Sequence, residues 1–126
     1  MSEPVRPSPL DGKSVLIVED EVLVAFDLID EVNNSGAQSL GPALTVKQAF
    51  DMFLKEGPDA AILDINLRGE SIYPFARTLI DQDIPFVFHS GHGTVANLEA
   101  RFPDIPICAK PASPKQLIDA VAGLMA

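Results

Sequence analysis

The sequence is poor in basic residues and in long apolar runs, and each shortage excludes a class of protein. Nine lysines and arginines stand against eighteen aspartates and glutamates, which gives the 126-residue chain a net charge of −9. Because nucleic-acid backbones and anionic membrane surfaces attract clustered positive charge, we expect the chain to bind neither of them. Apolar runs such as residues 22–26 are far shorter than the roughly 20 residues of a membrane-spanning helix.

Cysteine is also scarce, since Cys108 is the only one in the sequence. A single cysteine cannot form an intramolecular disulfide, which favours a reducing compartment, and we expect a cytoplasmic protein. Residues 1–9 lack the apolar segment of a signal peptide. Residues 1–12 are rich in proline and serine and are predicted to be a disordered lead, with one folded domain over residues 13–126.

Short apolar runs alternate with helical patterns along the rest of the chain. The runs have the length of strands and are bounded by glycine, proline or aspartate, at residues 14–18, 38–40, 60–63, 85–88 and 105–109. Apolar residues recur at helical spacing between them, at residues 21–34, 45–56, 72–81, 94–101 and 113–124. The fourth helix is predicted to be short and frayed. The alternation predicts a doubly wound α/β fold, with a five-stranded parallel sheet and five helices.

Polar residues that carry chemistry follow four of the predicted strands. Glu19 and Asp20 follow the first strand and Asp64 follows the third. The fourth is followed by His89-Ser90 and the fifth by Lys110-Pro111. Because the carboxyl ends of parallel strands meet at one edge of a sheet, we expect three carboxylates, a hydroxyl and an ammonium group to lie together there.

This set of groups suits phosphoryl transfer. Three crowded carboxylates repel one another unless a cation intervenes, and Mg²⁺ prefers oxygen ligands at a site with few protein ligands. An aspartate can act as a nucleophile and carry an acyl phosphate. A lysine and a hydroxyl beside it could then stabilise the charge of the phosphoryl group.

Four motifs in a fixed order strengthen this interpretation. They are VLIVEDE at residues 15–21, AILDINLRGE at 61–70, FVFHSGHG at 86–93 and AKP at 109–111. Over residues 13–125 the chain resembles the receiver domain of two-component response regulators, and in particular the stand-alone receivers that carry Pro-Phe-x-Phe-Ala-Thr-Gly. The resemblance implies a flavodoxin-like fold with strand order 2-1-3-4-5.

The resemblance also implies a role for each acidic residue. Asp64 matches the phosphoacceptor. Glu19 and Asp20 match the acidic pair that organises Mg²⁺ (or Mn²⁺), with Asp20 and Asp64 as direct ligands and Glu19 acting through water. Asn66 matches the position whose backbone carbonyl ligates the metal.

At the other strand ends, Ser90 matches the switch hydroxyl and Lys110 the lysine that pairs with the phosphoryl group. The bond between Lys110 and Pro111 is expected to be cis, as in the family. Several positions depart from the pattern: Ile107 stands where the family usually has an aromatic switch residue, Ala112 where it commonly has phenylalanine, and His89-Ser90 where the stand-alone receivers have Ala-Thr. We therefore expect the signal to travel through Ser90 and residues 91–101 rather than through a side-chain rotation at residue 107.

The function implied is that of a single-domain response regulator in a phosphorelay. It would accept a phosphoryl group from a phospho-histidine donor, either a sensor histidine kinase or a histidine phosphotransfer protein, and signal through a downstream protein partner. We expect a monomer or weak dimer that is not an enzyme, since it catalyses only its own phosphorylation and dephosphorylation.

Three alternatives remain open. The chain could be a pseudo-receiver that binds a partner without phosphorylation, or a receiver cut from a longer regulator or hybrid kinase. It could also be an aspartyl-phosphate phosphatase or phosphotransferase, although those enzymes need a second acid where this chain has Asn66.

His89 and His92 have the spacing of a transition-metal pair, but we favour the interpretation that they are loop histidines. Arg68 and Glu70 are interpreted as exposed loop charges.

Overall fold

The computed structural model describes residues 8–126, except for the side chain of His92. Its five strands and five helices alternate along the chain, as the sequence predicts. The strands are β1 Ser14–Val18, β2 Gln38–Ala43, β3 Ala60–Asp64, β4 Phe86–Ser90 and β5 Ile107–Ala109. The helices are α1 Val22–Asn34, α2 Val46–Glu56, α3 Tyr73–Asp81, α4 Val95–Arg101 and α5 Pro114–Met125.

All five strands are parallel and lie in the order β2-β1-β3-β4-β5. Both the flavodoxin-like fold class and the strand order are therefore confirmed. Asp64 pairs with His89 and Ser90 pairs with Ala109 in the sheet register. This register brings the carboxyl ends of β3, β4 and β5 level with one another, next to the end of β1.

The sheet is covered by apolar side chains on both faces, which explains why its strands lack strict polar alternation. On one face, the inward residues of α1 and α5 pack on Val15 and Ile17. On the other face, α2, α3 and the end of α4 pack on Leu16 and Val18 around the ring of Phe75. Among the helices of residues 8–126, none is both long and apolar enough to cross a membrane.

Two helices begin at residues whose side chains cap them. The Thr45 hydroxyl accepts a hydrogen bond from the backbone N–H of Gln48, 3.1 Å away. At α5, Ser113 and Gln116 form a reciprocal capping box, and Pro114 occupies the first turn. Such caps satisfy backbone N–H groups that have no partner inside the helix.

The second strand is longer than the sequence pattern indicates, and it contains an irregularity at Gly41. The β1–β2 register shifts between Leu16 and Val18, and Gly41 has a φ of +97°. A side chain there would put its Cβ 2.7 Å from the carbonyl oxygen of Ile17. Only glycine fits this close approach with a positive φ, and the Gly41–Pro42 bond that follows is cis.

Residues 8–12 differ from the predicted disordered lead. They form a turn in which the backbone N–H groups of Asp11 and Lys13 donate to the carbonyls of Ser8 and Leu10. Leu10 is fully buried in the core beneath α1 and α5, so this turn belongs to the folded domain. Residues 1–7, the rest of the predicted lead, lie outside the described residues.

The region before β5 is short, as predicted, but it is better anchored than expected. A single 3₁₀ turn, His92–Thr94, leads into the seven residues of α4. Leu98 is fully buried, and the ring of Phe102 lies 5.1 Å from that of Phe88 and 5.4 Å from that of Tyr73. These contacts hold the end of α4, while its beginning rests on the loop after β4.

Candidate functional site

Three acidic side chains converge at the carboxyl edge of the sheet, as the sequence predicts. Glu19 and Asp20 follow β1, and Asp64 is the last residue of the neighbouring strand β3. One carboxylate oxygen from each lies within 4.8 Å of the others. Glu19 and Asp64 are 1% exposed and Asp20 is 9% exposed, so all three carboxylates are buried.

Lys110 reaches into this acidic group from the end of β5. Its Nζ donates to Asp64 Oδ1 at 3.1 Å, and its backbone N–H donates to the carbonyl of Ser90 at 2.7 Å. The backbone N–H of Asn66 donates to the same Asp64 oxygen at 3.0 Å. The Lys110–Pro111 bond is cis, as expected. Asp64 Oδ1 is therefore held by two donors, while Asp64 Oδ2 has no hydrogen-bond partner among the described residues.

The charges at this site perturb one another strongly. Burial raises the pKa of Glu19 from its ordinary 4.5 to about 8, and the adjacent Asp64 carboxylate, which can accept its proton, adds to the effect. Burial opposes the charge of Lys110, but the hydrogen bond to Asp64 and the charge of that carboxylate outweigh it and raise its pKa. Lys110 is therefore a permanent cation at neutral pH.

The donor set fits a hard divalent cation. Glu19 Oε2 and Asp64 Oδ2 are both buried, and apart from a proton that these two carboxylates can share they have no partner among the described residues. Unpaired buried carboxylate oxygens are costly, and a bound cation would satisfy them. The residues present are thus compatible with the predicted Mg²⁺ or Mn²⁺ site. No other group of acidic, histidine or cysteine side chains in the described part of the chain has this arrangement.

Ser90 is fully buried at the end of β4, but its hydroxyl is engaged by the following loop rather than by Asp64. It hydrogen-bonds with the hydroxyl of Thr94, and it lies 3.1 Å from the carbonyl oxygen of Gly91. The Thr94 hydroxyl lies 3.0 Å from the same carbonyl. The structure therefore connects the predicted switch hydroxyl directly to the turn that precedes α4. Thr94 was not singled out from the sequence, where nothing distinguishes it from other helix-start threonines.

His89 is a strand residue rather than the loop histidine that the sequence suggested. It lies in β4 and is 5% exposed. Burial, and then the charge of Lys110, lower its pKa, so its ring is neutral near pH 7. With Val24 and Lys110 it lines a cavity of about 440 Å³ beside the acidic group. A second cavity of about 340 Å³ lies between Lys110, Asn66 and Thr94.

Arg68 makes a contact that sequence reasoning missed. It is exposed, as predicted, but its Nε lies 3.2 Å from Asp20 Oδ2. The two residues are far apart in sequence, and no motif marks the pair. Only the arrangement of the loop after β3 shows that this cation faces a predicted metal ligand.

A scan against protein-family models and a search of curated proteins both returned no match. Solved structures do match over most of the chain. The chain is 39% identical to SdrG from Sphingomonas melonis Fr1, covering 94% of this chain and 99% of that one, with a TM-score of 0.77. It is 38% identical to SdrG from Pseudomonas melonis Fr1 in a BeF3-activated conformation, covering 90% and 96%, with a TM-score of 0.72.

A response regulator receiver protein from Sinorhizobium medicae WSM419 is 26% identical, with 92% and 96% of the two chains covered and a TM-score of 0.79. The fold, the strand order and the acidic edge of the sheet agree with these similarities. The chain belongs to the family of response-regulator receiver domains.

Proposed function

We propose that the protein is a single-domain response regulator that accepts a phosphoryl group on Asp64 in the presence of Mg²⁺ or Mn²⁺. The observation that carries the proposal is the difference in hydrogen bonding between the two Asp64 carboxylate oxygens. Oδ1 is held by Lys110 and by the Asn66 backbone, whereas Oδ2 is buried without a partner among the described residues. One oxygen is thus fixed by two donors, while the other is left for the groups that the proposed chemistry brings to the site. The BeF3-activated conformation of its relative SdrG supports the same chemistry.

The transfer forms one bond and breaks one. An Asp64 oxygen attacks the phosphorus atom of a phospho-histidine donor and forms a P–O bond as the P–N bond breaks. The electron pair of the P–N bond returns to the donor imidazole, which takes a proton from solvent. Lys110 stays charged throughout, and its ammonium group stabilises the negative charge of the phosphoryl oxygens.

The cation would be held by Asp20, Asp64 and the backbone carbonyl of Asn66, with Glu19 acting through water, and when bound it supplies further positive charge against the phosphoryl oxygens. Ser90 contributes a hydroxyl donor once it leaves Thr94 and Gly91. Donation from a hydroxyl to a phosphoryl oxygen is a charge-assisted hydrogen bond, which is roughly twice as strong as a neutral one. This difference in hydrogen-bond strength favours the movement of the Ser90 hydroxyl from Thr94 and Gly91 to the phosphoryl group when Asp64 is phosphorylated.

We further propose the setting in which this chemistry operates. The donor is a sensor histidine kinase or a histidine phosphotransfer protein in the cytoplasm, and the phosphorylated form acts on a downstream protein partner as a monomer or weak dimer. The chain acts on its own aspartate only and is in that sense not an enzyme. Asn66 supports this, because an amide cannot shuttle the proton that an aspartyl-phosphate phosphatase needs.

Monophosphoimidazole, a small-molecule analogue of phospho-histidine, tests the proposal. The full chain is incubated with this donor and Mg²⁺, and its intact mass is measured over time. We expect the gain of one phosphoryl group, abolished by EDTA and strongly slowed by Lys110→Ala. If the chain gains no phosphoryl group under any condition although it stays folded, it is a phosphorylation-independent binding module instead.

A further inference from the structure

Arg68 is presented by a tight turn in an unusual backbone conformation. The backbone N–H of Glu70 donates to the carbonyl of Leu67 at 2.9 Å, and Leu67 and Glu70 form an isolated bridge. The two central residues both have positive φ, 49° at Arg68 and 84° at Gly69. Such a turn suits glycine or asparagine at its first central position, so an arginine there is strained.

The turn is anchored at both ends, and this fixes the direction in which the Arg68 side chain leaves the backbone. Leu67 is 1% exposed and belongs to the apolar core under α2 and α3. On the other side, Glu70 Oε1 lies 3.5 Å from the backbone nitrogen of Val46, the first residue of α2. Asp20, Arg68 and Glu70 together border a cleft of about 260 Å³.

The contact that results is between a buried anion and an exposed cation. Arg68 Nε lies 3.2 Å from Asp20 Oδ2, with the Asp20 side chain 9% exposed and the Arg68 side chain 82% exposed. Lys110, whose side chain is 30% exposed, also pairs with a buried carboxylate, that of Asp64, at 3.1 Å. Each of the two carboxylates proposed as direct metal ligands is therefore already paired with a cation of the chain itself.

We propose that Arg68 is an internal counter-ion of Asp20 that a divalent cation must displace. This inference rests on the metal site of the proposed function. Arg68 and the metal compete for the Asp20 carboxylate, because the two cations repel each other and the Arg68 side chain, 82% exposed, is freer to leave than that of Lys110, 30% exposed. The exposed guanidinium loses little when it moves into water, so the exchange is easy. Arg68 then acts as a positioning residue that lowers metal affinity and links metal binding to the turn at residues 67–70.

Two measurements on the full chain test this role. The first is a calorimetric titration with MgCl₂ at constant ionic strength of the wild type, Arg68→Gln and Lys115→Gln. Lys115 is a matched control, since it is an exposed cation paired with Asp119 at 3.0 Å on α5. Removing an ion pair worth up to about 1 kcal/mol should tighten Mg²⁺ binding about three- to fivefold in Arg68→Gln only.

The second measurement follows the Arg68 Nε–H resonance in the ¹⁵N-labelled protein, assigned by its loss in Arg68→Gln. We expect saturating Mg²⁺ to move it to the position of a free, exposed arginine. The inference is overturned if this resonance stays in place while Mg²⁺ binds, or if Arg68→Gln binds Mg²⁺ no more tightly than the wild type. If neither the wild type nor Arg68→Gln binds Mg²⁺, the metal site of the proposed function is wrong as well. Failure of the Arg68 inference alone is therefore distinguishable, because Mg²⁺ then still binds.

Discussion

The hydroxyls of Ser90 and Thr94 hydrogen-bond to each other where β4 ends, and both also lie within hydrogen-bond distance of the Gly91 carbonyl oxygen. Ser90 therefore cannot turn toward a phosphoryl group on Asp64 without giving up its contact with Thr94. Since Thr94 directly precedes α4, this exchange would couple the proposed phosphorylation site to the loop and helix at residues 91–101.

The coupling predicts where phosphorylation changes the molecule. Binding of beryllofluoride with Mg²⁺, as a phosphoryl mimic, should alter hydrogen exchange mainly at residues 91–101, because the start of α4 rests on the loop that Ser90 leaves. Ile107 in β5 cannot act as an aromatic switch. Exchange changes centred on β5, with residues 91–101 unaffected, would show that the signal takes another route.

A second prediction concerns Thr94 itself. Thr94→Val keeps the side-chain shape but removes the hydroxyl that holds Ser90, so Ser90 should turn to the phosphoryl mimic at lower cost. One hydrogen bond is worth about 0.5–1.5 kcal/mol, which corresponds to about two- to tenfold tighter beryllofluoride binding in a thermal-shift titration. Thr78→Val is the matched control, since its hydroxyl donates to the Pro74 carbonyl within α3. Equal affinities in the two variants would contradict the prediction.

The buried Glu19 predicts a pH dependence of stability in metal-free protein. Its pKa is about 8 in the folded state against an ordinary 4.5. Between these values the folded protein holds a proton that the unfolded chain has released, so the free energy of unfolding should fall as pH rises from 4.5 to 8. Glu19→Gln cannot titrate and should lose much of this slope. Urea denaturation in EDTA at several pH values measures it, and parallel curves for the two proteins would exclude Glu19 as the source.

The turn at residues 8–12 should contribute to stability. Leu10 is fully buried, so Leu10→Ala is expected to lower the free energy of unfolding by about 2–5 kcal/mol. Leu23→Ala serves as the control, because Leu23 is 79% exposed on α1 and its truncation should cost less than about 0.5 kcal/mol. Urea denaturation compares the two variants. A Leu10→Ala protein as stable as the control would mean that this turn is only loosely attached.

The fold could be predicted largely from the sequence because its signals are local. Apolar runs of strand length, helical spacing and the caps at Thr45 and Ser113 each depend on residues close in sequence. In a sheet of parallel strands the carboxyl ends lie at one edge. This is why the sequence could predict that Glu19, Asp20, Asp64 and Lys110 lie close together.

The features that the sequence did not predict depend on contacts across the fold. Leu10 lies in a segment without periodicity, and only its packing under α1 and α5 shows that it belongs to the core. Arg68 meets Asp20 through a turn with two positive φ values. Arginine rarely adopts a positive φ, so its presence at this position does not indicate such a turn. Ser90 and Thr94 meet because a 3₁₀ turn precedes α4, and its geometry is not visible in the apolar pattern.

The location of the phosphoryl group tests the assignment of Asp64 as the phosphoacceptor. Wild type, Asp64→Asn and Asp59→Asn are incubated with monophosphoimidazole and Mg²⁺, and their intact masses are compared. Asp59 is a suitable control because it immediately precedes β3, at the end opposite to Asp64, and accepts a hydrogen bond from Ser14. We predict one phosphoryl group on the wild type and on Asp59→Asn, and none on Asp64→Asn. A persistent adduct on a folded Asp64→Asn protein would contradict the assignment of Asp64 as the phosphoacceptor.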